Sequence, residues 1–150
     1  GVPAAGEESV AAMEAEIDAV AQIAATITQR RRVYFEIAPA PAMWTVGQGT
    51  FQHEMIELAG GENIFADLDG WGSVSDEAFL MHNPDIILTS VDFITDPVGE
   101  ILSRPGWGGV TAVQNGHVYE IDTDTSSRPS HHIVRALWDI ARAIYPEYFQ

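Results

Sequence analysis

Two tryptophans stand where an aromatic ring could contact a bound molecule. Trp44 and Trp71 both fall in segments rich in proline, glycine and polar residues, outside any predicted helix or strand. An indole is rigid and buries about 150–250 Å² of surface, so either ring could contribute to a ligand contact. Tryptophans in loops also pack against their own fold, and the residues alone leave both interpretations open. The same alternatives apply to Trp107, whereas Trp138 lies on a predicted helix and is expected in the core.

Asp124 and Arg128 are a second candidate pair, four positions apart in a predicted loop. An ion pair on an exposed loop contributes only about 0–1 kcal/mol to stability. At the mouth of an α/β sheet, the same two side chains can orient a polar ligand through directed hydrogen bonds. From the residues by themselves, the structural and the ligand-binding interpretations are equally supported.

The sequence offers little support for catalysis or for a metal site. It contains no G-x-S-x-G elbow, no G-x-x-x-x-G-K-[ST] loop and no H-E-x-x-H pair. Gly47-Gln48-Gly49 lacks the further glycines of a phosphate-binding fingerprint, so a tight loop of small residues is favoured. His131 and His132 are adjacent, and neighbours on a helix point about 100° apart, so they do not converge on one ion. His53 and His82 lie far away in the sequence. We therefore expect no catalytic residue, no metal site and no resident cofactor.

Length and composition are those of one globular domain. The chain has 150 residues, 46% of them hydrophobic, and no low-complexity segment. No apolar run reaches the roughly 18 residues of a membrane-spanning helix. The opening residues, GVPAAGEESV, lack the basic start and the apolar stretch of a signal peptide. Cysteine is absent, which excludes disulfides and thiolate chemistry.

The charge balance is strongly acidic. Twenty-two acidic residues face seven basic ones, all of them arginine, for a formal charge of −15. Binding to nucleic acid or to an anionic membrane surface is therefore not expected. Such a charge repels itself in dilute buffer, but in molar salt the screening length falls to about 3 Å. We favour a salt-loving source; the alternative is a GC-rich genome that replaces lysine with arginine.

Apolar periodicity predicts helices that alternate with strands. A long helix over Glu7–Gln29 carries one apolar stripe, and Arg30–Arg32 close its end. Buried strands are predicted at 33–37, 85–90 and 117–121, with further helices at 51–59, 76–82, 96–103 and 129–144. This alternation predicts an α/β fold, a single Rossmann-like lobe with a mostly parallel sheet flanked by helices. Ligands of such sheets bind beyond the carboxyl ends of the strands, which lead here into the loops of Trp44, Ser90–Asp92 and Asp122–Arg128.

Four segments share their order and spacing with one known family. They are TVGQGTFQHEMIELAGGENIF at 45–65, the block from Trp71 to Glu77, NPDIILTS at 83–90 and AVQNGHVYEID at 112–122. Together they resemble the substrate-binding proteins of ABC importers for cobalamin, ferric siderophores and haem. In that family two α/β lobes are joined by one long, rigid helix, and the ligand lies between them. The resemblance implies that residues 1–31 form the connector helix, that residues 32–150 form the C-terminal ligand-binding lobe, and that the N-terminal lobe is missing from this chain.

The vitamin B12-binding members of the family show the closest likeness. The resemblance places Trp44 and Trp71 against the ligand and gives Asp124 and Arg128 hydrogen bonds to a corrinoid. It also gives Glu77 a contact with the arginines of an ABC permease. The implied function is capture of cobalamin outside the membrane and its delivery to the permease, by an intact protein anchored at the cell surface or held in the periplasm.

Two departures from the family pattern leave the ligand less specified. Position 44 is tryptophan where the family has phenylalanine, and His131-His132 replaces a Pro-Arg pair. A ferric-siderophore or haem binder is the first alternative, because either histidine near Arg128 could ligate iron. An α/β enzyme acting on a nucleotide or sugar is a second, for which no nucleophile or acid–base pair is found. A domain that serves only in protein interaction is the third.

Overall fold

The computed structural model of the protein describes residues 2–39, 43–91, 93–121 and 129–149, with side chains described from Met13 onward in the first helix and from Val134 onward in the last. The helices are α1 (Val2–Ala24), α2 (Phe51–Leu58), α3 (Asp76–His82), α4 (Pro97–Leu102), α5 (Thr111–Gln114) and α6 (Pro129–Ile144). The strands are β1 (Arg32–Ala38), β2 (Trp44–Val46), β3 (Glu62–Asn63), β4 (Trp71–Ser73), β5 (Ile86–Thr89) and β6 (Val118–Glu120).

The strands form one sheet in the order β4-β2-β1-β5-β6, and the short β3 pairs with the start of β1. β1, β5 and β6 are parallel, so the centre of the sheet follows the predicted alternation of strands and helices. β2 is antiparallel to β1, and β4 is antiparallel to β2. The α/β lobe with a mostly parallel sheet is confirmed, and the sequence does not predict the antiparallel extension.

Side chains of β1 alternate between two cores. Val33 and Phe35 pack with α1, α2 and α6 on one face of the sheet. Tyr34 packs with α3, α4 and α5 on the other face. Because successive side chains of a strand point to opposite faces, a central strand buried on both sides reads as a continuous apolar run. The predicted strand at 33–37 is confirmed for this reason.

The paired glycines after α2 end that helix as predicted. Gly60 has a φ of 87°, in the left-handed region. Its amide donates to the Glu57 carbonyl at 3.1 Å, and the amide of Gly61 donates to the Ile56 carbonyl at 2.9 Å. These two bonds form a Schellman motif, which satisfies carbonyls that the helix itself leaves free. The motif turns the chain directly into β3.

The long first helix ends earlier than its apolar stripe predicts. It stops at Ala24 and not at Gln29. The arginines that were expected to close it serve other elements: the Arg30 side chain bonds to carbonyls at the end of α2, and the Arg31 amide donates to the Tyr145 hydroxyl at 2.8 Å. The backbone has to leave the helix before these arginines in order to reach α2, α6 and β1. Within the described residues, no helix combines the length and apolarity needed to cross a membrane.

Candidate binding site at the sheet edge

Trp44 begins β2 at the carboxyl edge of the sheet. It lies opposite Ala38, the last residue of β1, and 43% of it is exposed. The next residue, Thr45, is fully buried, and its hydroxyl donates to the Phe35 carbonyl at 2.6 Å. The strand is therefore held through its buried residues while the indole of Trp44 stays partly open to solvent.

Trp71 begins β4 and faces the same side of the sheet as Trp44. The register pairs Trp44 with Ser73 and Val46 with Trp71. Opposed residues of antiparallel strands point to one face, as do residues two apart on a strand, so the two tryptophans are diagonal neighbours. Diagonal positions lie about 7–8 Å apart, within reach of aromatic side chains. Trp71 is 58% exposed, so the two rings form a partly open aromatic surface, called the indole surface below.

Hydrogen bonds around Gly47 close the backbone between β2 and β4. The Gly47 amide donates to the Gly70 carbonyl, the Gln48 amide to the Leu68 carbonyl, and the Gly70 amide to the Gln48 carbonyl, each at 2.8 Å. A Cβ atom at Gly47 would lie 2.3 Å from the Leu68 carbonyl oxygen, so a larger residue does not fit. The Gly47-Gln48-Gly49 segment is thus a tight loop, and it holds the register that places the two indoles on one face of the sheet.

The prediction that both tryptophans lie in loops is wrong. β2 and β4 have only three residues each, too few for a period-two pattern to stand out. Glycine on both sides of Trp71 further weakens the strand signal. The common face of Trp44 and Trp71 depends on pairing between segments separated by α2 and β3, which no local pattern encodes.

Trp107 and Trp138 belong to the fold and not to the indole surface. Trp107 is fully buried, stacks on Phe79 with ring centroids 3.9 Å apart, and donates from Nε1 to Asp76 at 3.1 Å. Trp138 packs partly buried against the core, and its Nε1 donates to Glu16 on α1 at 2.6 Å. The packing interpretation therefore holds for Trp107, and Trp138 meets the expectation of a core contact in part.

A buried ionic network lies beneath the carboxyl edge. Arg104 donates from Nη1 and Nη2 to the two carboxylate oxygens of Glu36 at 2.9 and 3.0 Å, and from Nε to Glu100 at 2.9 Å. The Tyr34 hydroxyl donates to Glu36 at 3.0 Å. Glu36 is 1% exposed and Arg104 is 6% exposed, so solvent screens their interaction little. The network ties β1 to α4 and to the turn that follows it.

Burial and hydrogen bonds together shift the pKa values of two members of this network. It raises the pKa of Tyr34 well above the usual value, and the negative charge of Glu36 adds to the increase. Burial alone would lower the pKa of Arg104, but hydrogen bonds to Glu100 and Glu36 outweigh it and raise that pKa. Sequence reasoning missed the network. Its one usable signal is a glutamate inside the apolar run 33–37, since a buried carboxylate requires a partner.

An open cavity of about 580 Å³ lies along α2, lined by Gln48, Gly49, His53, Glu54, Glu57 and Leu58. Neither Trp44 nor Trp71 lines it. His53 Nδ1 lies 3.1 Å from Nδ2 of the Asn63 side chain. The Oδ1 atom of the same side chain accepts from the backbone amide of Phe65. The contact with Asn63 occupies Nδ1 of the His53 imidazole. Across the part of the chain that the structure describes, no group of three His, Cys, Asp or Glu side chains is placed to hold a metal ion.

Glu77 lies exposed in the first turn of α3. The Ser75 hydroxyl caps this helix by accepting from the Ala78 amide at 3.1 Å, and Asn83 ends it in the left-handed region with a φ of 45°. Both boundaries are as predicted. A carboxylate in the first turn is favoured by the helix dipole, and its exposure leaves it accessible to a partner.

The other predicted ligand contacts, Asp124 and Arg128, lie outside the described residues, as do the side chains of His131 and His132. Asp124 and Arg128 fall in the sequence between β6 and α6. β6 pairs with β5 and ends at Glu120. The ligand-binding roles of Asp124 and Arg128 stay predictions.

A helix-flanked, mostly parallel sheet with an exposed aromatic surface at its edge is the architecture of a solute-binding lobe. The chain belongs to the periplasmic binding protein family, whose family model matches residues 1–125. Its relatives are solute-binding proteins and not enzymes.

Three similar proteins illustrate the range of this family. An uncharacterized ABC transporter substrate-binding lipoprotein of Bacillus subtilis, YvrC, is 30% identical over 154 residues, an alignment that covers 100% of this chain and 48% of the relative. A cobalamin-binding protein of Halobacterium salinarum is 30% identical over 149 residues, covering 95% of this chain and 40% of the relative. The periplasmic heme-binding protein RhuT of Roseiflexus sp. RS-1, solved in its apo form, is 28% identical with a TM-score of 0.80, covering 97% of this chain and 57% of RhuT. The chain thus spans about half the length of the relatives it matches.

Proposed function

We propose that this chain is the C-terminal lobe of the substrate-binding component of an ABC importer, and that its ligand is cobalamin or a related corrinoid. The indole surface carries the proposal, because Trp44 and Trp71 stand 43% and 58% exposed on one face of the sheet. The same chain buries Trp107 completely, so exposure is not a general property of its tryptophans. A flat macrocycle with apolar faces would cover both exposed rings. The cobalamin-binding relative from Halobacterium salinarum supports this choice of ligand.

In this proposal the indoles supply contact area and the polar residues supply orientation. A corrinoid carries amide side chains on its rim. The Asp124 carboxylate accepts hydrogen bonds from amide nitrogens, and the Arg128 guanidinium donates to amide oxygens. The tight loop around Gly47 holds the register of β2 and β4 before ligand arrives, so little ordering free energy is lost on binding.

The partners of the intact protein are part of the same proposal. An N-terminal lobe would close the second side of the ligand, with residues 1–31 as the connector helix and residues 32–150 as the present lobe. The intact protein would lie outside the cytoplasmic membrane, attached to it or free in the periplasm; the lipoprotein relative in Bacillus subtilis supports this location. Glu77 would pair with an arginine of the permease.

The ligand is tested by tryptophan quenching of this chain in molar salt with cyanocobalamin, cobinamide, ferrichrome and haemin. Saturable quenching by the two corrinoids alone supports the proposal. Trp44→Ala and Trp71→Ala should each lower the affinity for corrinoids by tenfold or more. Trp138→Phe, a change away from the sheet edge, should leave that affinity unchanged. Asp124→Ala should weaken binding without abolishing it.

Haem is the second candidate ligand, because the heme-binding relative RhuT is 28% identical across nearly the whole chain. A Soret band that appears only with this chain and haemin, together with no quenching by the corrinoids, would replace cobalamin by haem. Preference for ferrichrome would assign a siderophore instead.

The docking role of Glu77 is tested in the intact importer. Glu77→Ala should leave corrinoid affinity unchanged and lower uptake. Glu54→Ala, which removes an exposed carboxylate from α2, is the matched control. Uptake that is equal in the two variants contradicts a docking role for Glu77.

We also propose a saline environment for the protein, since its formal charge is −15 and all of its basic residues are arginine. The melting temperature should rise between dilute and molar sodium chloride, because salt screens the self-repulsion of the acidic surface. A melting temperature that does not change with salt would favour the other explanation, a GC-rich genome that replaces lysine with arginine.

A further inference from the structure

Phe93 is the most exposed aromatic side chain among the described residues. It lies between β5 and α4, and 70% of it is accessible to solvent. A single exposed phenylalanine requires no explanation by itself. Its place in the fold distinguishes it, because Phe93 lies four residues after Thr89, the carboxyl end of β5.

The sheet order places Phe93 on the same edge as Trp44. β5 lies between β1 and β6 and is parallel to both. The carboxyl end of β1 is Ala38, which lies opposite Trp44. Carboxyl ends of neighbouring parallel strands meet at one edge of the sheet, where ligands of α/β folds bind. Phe93 therefore follows the strand next to the one that ends beside Trp44.

Buried groups fix both ends of the segment that carries Phe93. On one side, Val91 is 2% exposed and its amide donates to the Thr89 hydroxyl at 3.2 Å. On the other side, Pro97 is buried, and Asp96 caps α4 by accepting from the Gly99 amide at 3.0 Å. Phe93 thus lies between two anchored positions, Val91 and Pro97.

The buried ionic network holds α4, the helix that follows Phe93. Glu100 on α4 accepts from Arg104, and the same guanidinium holds Glu36 on β1 with two hydrogen bonds. Glu36 pairs in register with Thr89 at the end of β5. The Arg104 guanidinium therefore connects α4, the helix after Phe93, to the paired strands β1 and β5.

We infer that Phe93 is a third aromatic contact of the ligand, one that bounds the indole surface on the β5 side and adds affinity for the macrocycle. The inference rests on the proposed function. The exposed ring lies at the same sheet edge as Trp44, so a macrocycle that covers Trp44 could also cover Phe93. Cyanocobalamin and cobinamide share the corrin macrocycle, so both should depend on Phe93 to the same extent.

The test compares Phe93→Ala, Phe93→Trp and Met81→Ala in the quenching titration with cyanocobalamin and cobinamide. Met81 is 85% exposed on α3, which ends where β5 begins and so lies toward the opposite edge of the sheet. We expect Phe93→Ala to lower the affinity for both corrinoids by about tenfold. Phe93→Trp should stay within about threefold of the parent chain, and Met81→Ala should not differ from it. The melting temperatures of all variants should agree, which separates loss of a contact from loss of folding.

The outcomes distinguish failure of this inference from failure of the proposed function. Corrinoid binding that needs Trp44 and Trp71 but ignores Phe93→Ala overturns this inference and leaves the proposed function standing. Equal losses in Phe93→Ala and Met81→Ala overturn it as well, because the effect would then be unspecific. Absence of corrinoid binding to the parent chain, up to the solubility limit of the ligands, overturns the inference together with the choice of ligand.

Discussion

Trp71 and Trp107 occupy nearly the same local sequence and end in opposite environments. Each follows a glycine with positive φ, 79° at Gly70 and 84° at Gly106, and each precedes another glycine. Trp71 is 58% exposed, and Trp107 is 0% exposed. Flanking glycines therefore indicate a turn in the backbone and carry no information about the burial of the ring between them.

The difference comes from what the rest of the chain places opposite each ring. Trp107 stacks on Phe79, lies under the Arg104 guanidinium at 4.1 Å and donates to Asp76. Trp71 stands on β4, an outermost strand of the sheet. One ring completes a core, and the other remains available to a ligand. The two sites should respond differently to every perturbation that acts through packing.

Truncation of the two tryptophans gives the largest expected contrast. Trp107→Ala should lower the free energy of unfolding by about 3–5 kcal/mol, because it leaves a large cavity in the core. Trp71→Ala should lower it by less than about 1 kcal/mol, since more than half of that ring is already in water. Urea unfolding followed by far-ultraviolet circular dichroism measures both without relying on tryptophan emission. Similar losses in the two variants would contradict the comparison.

Removal of the charge over Trp107 is the next test. Arg104→Ala leaves the Glu36 carboxylate buried without its cation, which should destabilise the fold by about 3–4 kcal/mol. Arg142→Ala is the control, because Arg142 also lies over a tryptophan but its ion pair with Asp139 is exposed at 3.7 Å. That change should cost no more than about 1 kcal/mol. Equal losses would mean that the Arg104 network contributes only surface electrostatics.

Most of the central sheet and several helix boundaries were accessible to sequence reasoning. The strand at 33–37 is apolar except for Glu36, which is enough to predict a buried strand. Ser75 and Asn83 are polar residues whose side chains or backbone preferences act within a few positions. Each of these signals is local, and each is confirmed.

The features that the sequence did not predict depend on contacts between segments far apart in the chain. Trp44 and Trp71 were recognised as candidates, but their common face follows from the register of two short strands. Glu36 could be noted as an unusual residue in a buried strand, whereas nothing local marks Arg104 as its partner. The end of α1 at Ala24 likewise depends on where α2 and α6 receive the arginines. A single sequence contains no direct record of such pairings.

Alkaline pH should lower the stability of the core around Trp107, because the buried Tyr34 ring packs against Trp107. The raised pKa of Tyr34 means that the folded state favours the neutral phenol, so this contribution to stability is complete below the usual value of 10.0 and is lost as the pH rises toward the folded value. The chain has no lysine, so tyrosines dominate the titration in this range. Unfolding free energies measured from about pH 8 to 11.5 should fall less steeply in Tyr34→Phe than in the parent chain.

Some slope should remain in Tyr34→Phe, because burial also raises the pKa of Tyr145. At neutral pH the variant should be about 1–2 kcal/mol less stable, the loss of one hydrogen bond to a charged group. Identical alkaline slopes in the two proteins would show that Tyr34 ionises as freely in the folded state as in the unfolded one.

The smallest expected effect is the loss of stability when the glycine before each tryptophan is replaced by alanine, and this loss should be equal at the two positions. It measures the cost of the backbone conformation apart from the packing of the ring. Gly70 and Gly106 both have positive φ, and a Cβ atom added at either meets no atom within 4 Å. Alanine at each position should therefore cost about 1 kcal/mol, entirely from the left-handed backbone. Gly108→Ala, with equally open surroundings and no positive φ, should be nearly neutral. If Gly106→Ala were much more costly than Gly70→Ala in urea unfolding, the turn itself would depend on the buried ring, and burial of Trp107 would begin in the backbone and not in the residues packed against it.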